Sequence, residues 1–374
     1  MGDEVTGLVN SGVDPTRGLY AKYRRFLPVL QDYEAADRGQ GQTPLVRSRA
    51  LGPGAGAPNL FFKLELSNPT GSYKDRFAGL ALALSREAGA SACLATSSGN
   101  TGAALASIAA ALDMRVFLFV NELTPAGKLV QMRAHGARVF RVKGMGIDAT
   151  ESAEVIRKLR AISVARAMPL LISAFSESPR AMEGIKTIAY EIAEQLQPVD
   201  HVFCPVGGGG LYTAIARGFA DLIAEGGTMP RVHPVQPTLN DTVITPLRSG
   251  STQARTVSTT TGLSGLAVPF DLDGSVVIEL ARRCASAGVL VEDREALDAQ
   301  RRLMVEEGLL VEPAGAVAVA GFLRACTAGE IRPHQRVVCV LTGHGFKDPT
   351  SIEAASAANE VRQIDCRDIG AVLG

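Results

Sequence analysis

Lys74 lies at a junction between two sequence patterns, and this position makes its amine a candidate for chemistry. The segment N-P-T-G-S-Y-K-D-R, residues 68–76, follows an alternating apolar run at residues 60–66 that predicts a strand. Apolar side chains then recur at helical spacing from Phe77. Lys74 therefore falls in the first helical turn, and Ser72 is placed to cap the helix.

A lysine in a first helical turn faces the positive end of the helix dipole. This end disfavours a cation by about 0.3–1 kcal/mol, which lowers the pKa of the lysine. A lysine that loses its proton easily is what a Schiff base with an aldehyde cofactor requires. The alternative is that Lys74 is a solvated lysine near the start of a helix. Other segments of the sequence are needed to distinguish a Schiff-base lysine from a solvated one.

The segment T-S-S-G-N-T-G, residues 96–102, follows a predicted strand and opens an alanine-rich helix. Its backbone N–H groups and the hydroxyl groups of Ser97, Ser98 and Thr101 form an anion site suited to a carboxylate. The Asn100 amide can both donate and accept hydrogen bonds. The alternative is a simple helix cap.

The segment C-P-V-G-G-G-G-L, residues 204–211, runs from a predicted strand through four glycines into a helix. Each glycine costs about 1 kcal/mol to order, so such a loop favours close approach of the backbone to a ligand. A phosphate at the helix N-terminus fits this loop, although a flexible turn is the alternative. The spacing matches neither a P-loop nor a dinucleotide fingerprint, which argues against a nucleotide-binding fold.

The segment V-V-C-V-L-T-G-H-G-F-K-D, residues 337–348, is a buried strand pattern that ends at Thr342. A hydroxyl group at this point can form a hydrogen bond with a neutral ring nitrogen, whereas a carboxylate would protonate that nitrogen.

The composition excludes several classes of function. Lys plus Arg and Asp plus Glu number 38 each, so the zero net charge favours neither nucleic acid nor an acidic membrane. We find no apolar segment with the length of a membrane span or the features of a signal core, and we expect a cytoplasmic protein. The six cysteines and five histidines lack ligand spacing, so we predict no metal site and no disulfide framework.

These motifs must be positioned by alternating strands and helices, which predict an α/β fold with mainly parallel strands. Residues 238–273, which are rich in Ser, Thr, Gly and Pro, predict long loops or a lid. The predicted strands are residues 92–95, 116–120, 138–142, 170–174, 201–206, 231–236 and 337–341, and the predicted helices are residues 101–111, 127–135, 148–167, 180–196, 211–224, 293–307 and 314–326.

Together, these segments resemble the fold type II pyridoxal-phosphate enzymes, and most closely the threonine synthases and their relatives. The resemblance spans most of the chain, from G-Q-G-Q-T-P-L-V at residues 39–46 to L-T-G-H-G-F-K-D-P at residues 341–349. It also includes E-G-I-K-T-I-A-Y-E-I at residues 183–192 and L-V-E-P-A-G-A-V-A-V-A at residues 310–320.

The resemblance implies a tryptophan synthase β-like fold with two open, mainly parallel sheets covered by helices. A large cofactor-binding domain, residues 1–60 and 185–374, would enclose a smaller mobile domain, residues 61–184. Such enzymes are usually dimers, so we expect a homodimer.

The resemblance also assigns roles to residues. Lys74 would form the Schiff base with pyridoxal phosphate and then move protons, and Thr101 would lie near the water that is added. Ser97, Ser98 and Thr101 would bind the substrate carboxylate. The cofactor-binding residues would be Lys74, Asn100, Gly207, Gly208, Gly209, Gly210, Leu211 and Thr342.

The implied reaction is the conversion of O-phosphohomoserine and water to threonine and phosphate. Threonine synthases generally have an Asn in the phosphate loop and N-P-x-R-x-E-G before the K-T pair, whereas this chain has four glycines and S-P-R-A-M-E-G. Ser178 and Ala181 replace the Asn and Arg that hold the substrate phosphate, and Arg180 is the candidate to compensate. Lys186 and Thr187 are further possible substrate contacts, with an exposed helical turn as the alternative.

These departures leave a second reaction open, namely β-elimination or β-replacement on serine, threonine or O-phosphoserine, as in the dehydratases or cysteate synthase-like enzymes. A hypothesis of another class is a small-molecule binder without catalysis on the same fold. Retention of Lys74, Asn100 and Thr342 together argues against a binder. A nicotinamide-dependent oxidoreductase is the least favoured alternative.

Overall fold

The protein is described by a computed structural model that covers residues 18–35, 37–97, 99–357, 361–369 and 372. The described residues form two sheets: six strands in the order β1-β2-β9-β6-β7-β8, and three in the order β3-β4-β5. The strands are β1 Leu45–Arg47, β2 Leu60–Leu64, β3 Ala92–Ala95, β4 Arg115–Asn121, β5 Arg138–Val142, β6 His201–Pro205, β7 Arg231–Pro237, β8 Val289–Val291 and β9 Val337–Leu341.

Helices cover both sheets. The α-helices are α1 Leu19–Lys22, α2 Leu51–Gly54, α3 Lys74–Glu87, α4 Asn100–Ala111, α5 Ala126–Ala134, α6 Ala149–Arg166, α7 Pro179–Met182, α8 Thr187–Gln195, α9 Gly210–Ile223, α10 Ile244–Arg248, α11 Gly274–Arg283, α12 Asp293–Glu307, α13 Pro313–Thr327 and α14 Pro349–Ser356. Short 3₁₀ helices lie at Arg24–Phe26, Glu65–Ser67, Glu183–Lys186, Thr238–Asn240, Gly345–Lys347 and Cys366–Asp368.

The six-stranded sheet is parallel except for β1, which pairs antiparallel with β2 at the edge. Every residue of β6 and β9 is buried, because these central strands are covered on both faces. Their continuous apolar sequences are typical of such strands. The three-stranded sheet is parallel throughout, and the central strand β4 alternates buried with more exposed residues. The predicted fold class, α/β with two open, mainly parallel sheets covered by helices, is confirmed.

The ends of the long helices follow local capping rules. At α12, the Glu292 carboxylate accepts from the backbone of Glu295, whose own carboxylate accepts from the Glu292 backbone N–H at 2.6 Å. This capping box explains why α12 begins at Asp293, the predicted start, and Gly308 ends the helix in a left-handed conformation. At α6, the Asp148 carboxylate accepts from the Glu151 N–H, and Ala167 ends the helix in a left-handed conformation.

Four predictions of local structure are wrong. The strand predicted at 60–66 ends at Leu64, because residues 65–67 form a 3₁₀ turn. The strand predicted at 170–174 is reduced to a single bridge between Leu94 and Leu170. The helix predicted at 180–196 is α7, a 3₁₀ turn and α8 in succession. Ser72 does not cap α3, because Tyr73 is the N-cap residue and no side chain caps it.

The sequence also left two short edge strands unpredicted, β1 and β8, which have three residues each. Residues 238–273 contain only a 3₁₀ turn and α10, which agrees with the predicted loops. The predicted domain boundary after residue 60 falls inside β2, and β2 pairs within the six-stranded sheet. The division into two domains stays a prediction. In the described part of the chain, we find no helix with the length and apolarity needed to span a membrane.

Candidate active site

The carboxyl ends of four strands bring the predicted site residues together. Lys74 begins α3 after β2, and Asn100 begins α4 after β3. The four glycines connect β6 to α9, and Thr342 follows β9. Ligands bind at the carboxyl ends of strands in open α/β sheets, so this is the expected location of a site.

Lys74 is half-buried, and its Nζ donates to the Ser173 Oγ at 2.8 Å. The Nζ also lies 4.6 Å from the centre of the Tyr73 ring. Burial lowers the pKa of Lys74 from its ordinary value to about 8, although the carboxylates of Glu312 and Asp273 oppose this shift. The amine is therefore much closer to losing its proton at neutral pH than a solvated lysine.

Ser173 also contacts Thr101, because the two hydroxyl oxygens lie 2.9 Å apart. Thr101 is buried in the first turn of α4. Ser173 lies in the segment 170–174, which was predicted as a strand and singled out for no role. A contact between residues 99 positions apart, as Lys74 and Ser173 are, leaves no local signal in the sequence.

Glu312 is a second residue that the sequence analysis did not assign. The Asn100 Nδ2 donates to both carboxylate oxygens of Glu312, at 3.1 and 3.0 Å, and the Thr342 hydroxyl donates to one of them at 3.1 Å. Burial raises the pKa of Glu312, while the hydrogen bonds from Asn100 and Thr342 lower it. One carboxylate thus orients two of the predicted cofactor-binding side chains.

The four glycines form the loop that leads into α9. Gly209 has φ of +99°, a left-handed conformation that favours glycine, and an added Cβ would lie 2.8 Å from Val277. The carbonyl groups of Gly208 and Gly209 accept from Asp273 and Thr213, at 2.9 and 3.0 Å. Because the first N–H groups of an α-helix have no partner within the helix, the start of α9 is suited to bind an anion.

Asp273 ties the glycine loop to the segment that carries Ser173. Its carboxylate is buried and accepts from the backbone N–H groups of Phe175 and Ser176, at 2.7 and 2.9 Å. Its own N–H donates to the carbonyl group of Gly208. Asp273 lies at the end of the loop-rich segment 238–273, where the composition gave no sign of its role.

The other residues predicted to bind the substrate are Ser97, Ser98 and Arg180, and the structure describes the positions of two of them. Ser97 lies half-buried in the loop after β3, where its Oγ accepts from the Gly99 N–H at 3.2 Å. Ser98 lies outside the described residues. Arg180 is exposed on α7, whereas Met182 of the same helix lies close to Gly210.

Lys186 and Thr187 do not form an exposed turn, so that alternative is wrong. Lys186 is buried and pairs with Asp221 at 2.8 Å and with Glu183. Thr187 is fully buried and accepts from the guanidinium of Arg76 at 2.9 Å. Both side chains are therefore engaged in contacts within the protein.

Beneath the site, Arg76 belongs to a network of buried charges. Its guanidinium donates to the carboxylates of Glu65 and Glu191, and the Glu191 carboxylate also accepts from Lys63 at 2.7 Å. Side chains of all four are at most 2% exposed. Since Arg76 lies in the first turn of α3, the network fixes the start of the helix that carries Lys74.

Comparison with known proteins identifies the family of the chain. A family model described as a pyridoxal-phosphate dependent enzyme matches residues 36–343. The chain belongs to this family. Its cofactor is therefore pyridoxal phosphate, as the sequence predicted.

Curated relatives of this pyridoxal-phosphate enzyme include proteins named threonine synthase. The protein from Bacillus sp. (strain ULM1) is 32% identical over 368 residues, which cover 96% of this chain and 99% of the relative. The protein from Methanocaldococcus jannaschii is 30% identical over 354 residues, which cover 92% of this chain and 84% of the relative.

Several solved structures share the fold of this chain. Serine racemase from maize has a TM-score of 0.70 and 23% identity, and the match covers 85% of this chain and 92% of that one. The processed form of threonine deaminase isoform 2 from Solanum lycopersicum has a TM-score of 0.69 and 22% identity, with coverage of 88% and 82%. At these identities the likeness concerns the fold alone.

The residues of the site fit pyridoxal phosphate. The lowered pKa of Lys74 suits attachment to an aldehyde, and the start of α9 offers N–H groups to a phosphate. The Asn100 amide and the Thr342 hydroxyl are polar groups suited to the edge of a pyridine ring, and Glu312 orients both of them.

Proposed function

We propose that this enzyme is a lyase of the threonine synthase type, which converts O-phosphohomoserine and water to threonine and phosphate. The observation that carries the proposal is the set of relatives named threonine synthase, which align over nearly the whole chain at 30–32% identity. The polar groups at the carboxyl ends of β2, β3, β6 and β9 support it, because they fit the cofactor of such a reaction.

Four segments would hold the cofactor. Lys74 would bind it covalently, Asn100 would contact its 3′-oxygen, and Thr342 would face the ring nitrogen. Gly207, Gly208, Gly209, Gly210 and Leu211 would bind the phosphate through backbone N–H groups. When bound, pyridoxal phosphate supplies an electron sink that acidifies the α-hydrogen of an amino-acid substrate.

The chain itself would bind the substrate and move its protons. The hydroxyl groups of Ser97, Ser98 and Thr101 would hold the carboxylate at the start of α4. Lys74 would remove the α-hydrogen, since an amine with a pKa near 8 is an effective base near neutral pH. Thr101 would orient the water that adds to the β-carbon, and Arg180 is the candidate for the substrate phosphate.

Incubation of the holoenzyme with O-phosphohomoserine tests this proposal. We expect equal amounts of phosphate and threonine, measured by a phosphate assay and amino-acid analysis, and no formation of either by Lys74→Ala. Arg180→Ala should raise KM for phosphohomoserine with a smaller effect on kcat, because a phosphate contact acts mainly in binding. The proposal fails if the wild-type enzyme releases no phosphate above the Lys74→Ala control.

A second candidate is β-elimination or β-replacement on serine, threonine or O-phosphoserine. The observation that favours it is the substitution of the expected phosphate-binding pair by Ser178 and Ala181, together with the exposure of Arg180. Assays for α-keto acids and for substituted alanines with these substrates test this candidate. It fails if both kinds of product are absent.

The homodimer and the cytoplasmic location stay predictions from the sequence. Sedimentation equilibrium of the holoenzyme would test the first, since a dimer has twice the mass of the 39.2 kDa chain. A single species at the mass of one chain would contradict it.

A further inference from the structure

Ser173 joins the amine of Lys74 to the hydroxyl group of Thr101. We propose that Ser173 is a positioning residue that holds the Lys74 amine in place. Through Ser173, the protonation state of the Lys74 amine also decides whether the Thr101 hydroxyl group accepts a hydrogen bond from Ser173 or donates one to it. The inference rests on the proposed roles of Lys74 and Thr101, and it adds a residue to which the family resemblance assigned nothing.

The position of Ser173 is fixed from both sides. On one side, the Ile172 N–H donates to the Ser178 Oγ at 3.3 Å. On the other, the Phe175 N–H donates to the buried carboxylate of Asp273 at 2.7 Å. The loop therefore holds the Ser173 Oγ within hydrogen-bond distance of the Lys74 Nζ and the Thr101 Oγ1, at 2.8 and 2.9 Å.

A serine hydroxyl group has one hydrogen to donate and can accept from two donors. When Lys74 is an ammonium, it must donate to Ser173, because an ammonium has no lone pair. Ser173 then donates its single hydrogen to Thr101. The hydrogen of Thr101 is thereby left to point away from Ser173, toward the space where the substrate would lie.

The direction reverses when Lys74 is a neutral amine. The amine has a lone pair, so Ser173 can donate to it, and Ser173 then accepts from Thr101. The Thr101 oxygen now offers lone pairs, and not its hydrogen, to the substrate side. No bond is made or broken within the chain of three groups, since the proton that Lys74 gains or loses comes from or goes to the substrate or water.

The charged groups around Lys74 lie on other elements. Glu312 precedes α13 and Asp273 precedes α11, and both carboxylates favour the ammonium form. The Tyr73 ring faces the Nζ from the same segment. Neither carboxylate forms a direct hydrogen bond with the amine among the described contacts, which leaves the Ser173 hydroxyl as its described hydrogen-bond acceptor.

The test measures how fast the apo-enzyme binds pyridoxal phosphate through Lys74 as a function of pH. The visible absorbance of the lysine-bound cofactor reports the reaction, and borohydride reduction with peptide mapping confirms the site. Only the neutral amine reacts, so the midpoint of the pH profile reports the pKa of Lys74. No amino-acid substrate is present.

In Ser173→Ala the ammonium loses its hydrogen-bond acceptor, which destabilises the charged form. We expect the midpoint to fall by about one pH unit. Ser173→Thr keeps the hydroxyl group and should restore the midpoint of the wild type. Ser176→Ala is the matched control, because it removes an exposed serine hydroxyl from the same loop and should leave the midpoint unchanged. A midpoint in Ser173→Ala equal to that of the wild type would overturn the positioning role.

A double-mutant cycle tests the link to Thr101. Thr101→Val should lower the midpoint by less than Ser173→Ala does, because it acts on Lys74 through Ser173. The double variant should then shift no further than Ser173→Ala alone. Additive shifts would overturn the coupling, since they would mean that Thr101 acts on Lys74 independently.

The outcomes separate this inference from the proposed function. A shifted midpoint in an enzyme that releases no phosphate from phosphohomoserine would support the role of Ser173 and contradict the threonine synthase activity. If Ser173→Ala leaves the midpoint unshifted and the wild-type enzyme forms threonine, the threonine synthase activity is supported and the role of Ser173 is contradicted.

Discussion

Two lysines with very different surroundings, Lys63 and Lys74, lie eleven positions apart, in β2 and at the start of α3. Lys63 is in β2, is fully buried, and donates to the Thr43 carbonyl group, the Glu191 carboxylate and the Gln195 amide oxygen, at 2.7, 2.7 and 2.8 Å. Lys74 is half-buried and donates to the hydroxyl group of Ser173. Burial lowers the pKa of both side chains.

The difference lies in how the lost hydration is replaced. An ammonium has three hydrogens, and the three acceptors around Lys63 match them, with a carboxylate in direct contact. At Lys74 the carboxylates of Glu312 and Asp273 act only at longer range. A lysine with a complete set of partners stabilises the structure, whereas one with an incomplete set keeps an amine that can react.

The largest expected effect is on catalysis. Lys74→Ala should reduce turnover by on the order of 10³-fold or more, because the variant loses both the covalent cofactor link and the base. Steady-state kinetics and the visible absorbance measure these two losses. Far-UV circular dichroism should show that the fold is kept. Turnover within about tenfold of the wild type would mean that Lys74 is not the reactive lysine.

The next effect is on stability. Lys63→Met should lower the free energy of unfolding by about 3 kcal/mol, since it leaves buried acceptors without their cation. Urea denaturation of the apo-protein measures this change. Lys22→Met is the control, because it breaks an exposed ion pair with Glu194 and should cost less than about 1 kcal/mol. Equal losses in the two variants would contradict the structural role of the network.

The same substitution at Lys74 should have a much smaller effect on stability than it has at Lys63. Lys74→Met removes a partly desolvated cation with few partners, so the free energy of unfolding of the apo-protein should change by less than about 1 kcal/mol in either direction. The same urea experiment compares it with Lys63→Met. A loss as large as that of Lys63→Met would show that the two lysines have the same function in the fold.

A smaller effect follows from removing one acceptor of Lys63. Gln195→Ala should lower the free energy of unfolding by about 1 kcal/mol, because one of three hydrogen bonds to the ammonium is lost. Turnover should be unchanged, and so should the pH at which Lys74 reacts. A change in that pH would mean that the network controls the protonation of Lys74 directly.

Local sequence patterns correctly predicted most of the strands and helices that position the site residues. The switch from alternating to helical spacing put Lys74 at the start of a helix, where α3 begins. The strand-to-glycine pattern likewise put residues 207–210 before α9. These predictions succeeded because strand and helix periods are properties of neighbouring residues.

Partners that are distant in the sequence could not be predicted in this way. Ser173 follows a bridge that pairs with the three-stranded sheet, and Glu312 reaches Asn100 across 212 positions. Ser72 looked like a helix cap, but its segment pairs with Gly343 beside β9, so tertiary contacts decided its position. The sequence also could not show that Lys186 pairs with Asp221 and that Thr187 accepts from Arg76, because these partners are distant along the chain.

The central claim is that the partners of Lys74 only partly replace the water that its ammonium loses on burial, so that the neutral amine is favoured. The pH dependence of cofactor attachment to the wild-type apo-enzyme tests this claim most directly. Below its pKa the amine is protonated and does not react, so the rate should rise with pH and level off above the midpoint. The structure predicts a midpoint of about 8. A midpoint near 10.5, the ordinary value for a lysine, would show that the surroundings of Lys74 do not favour the neutral amine.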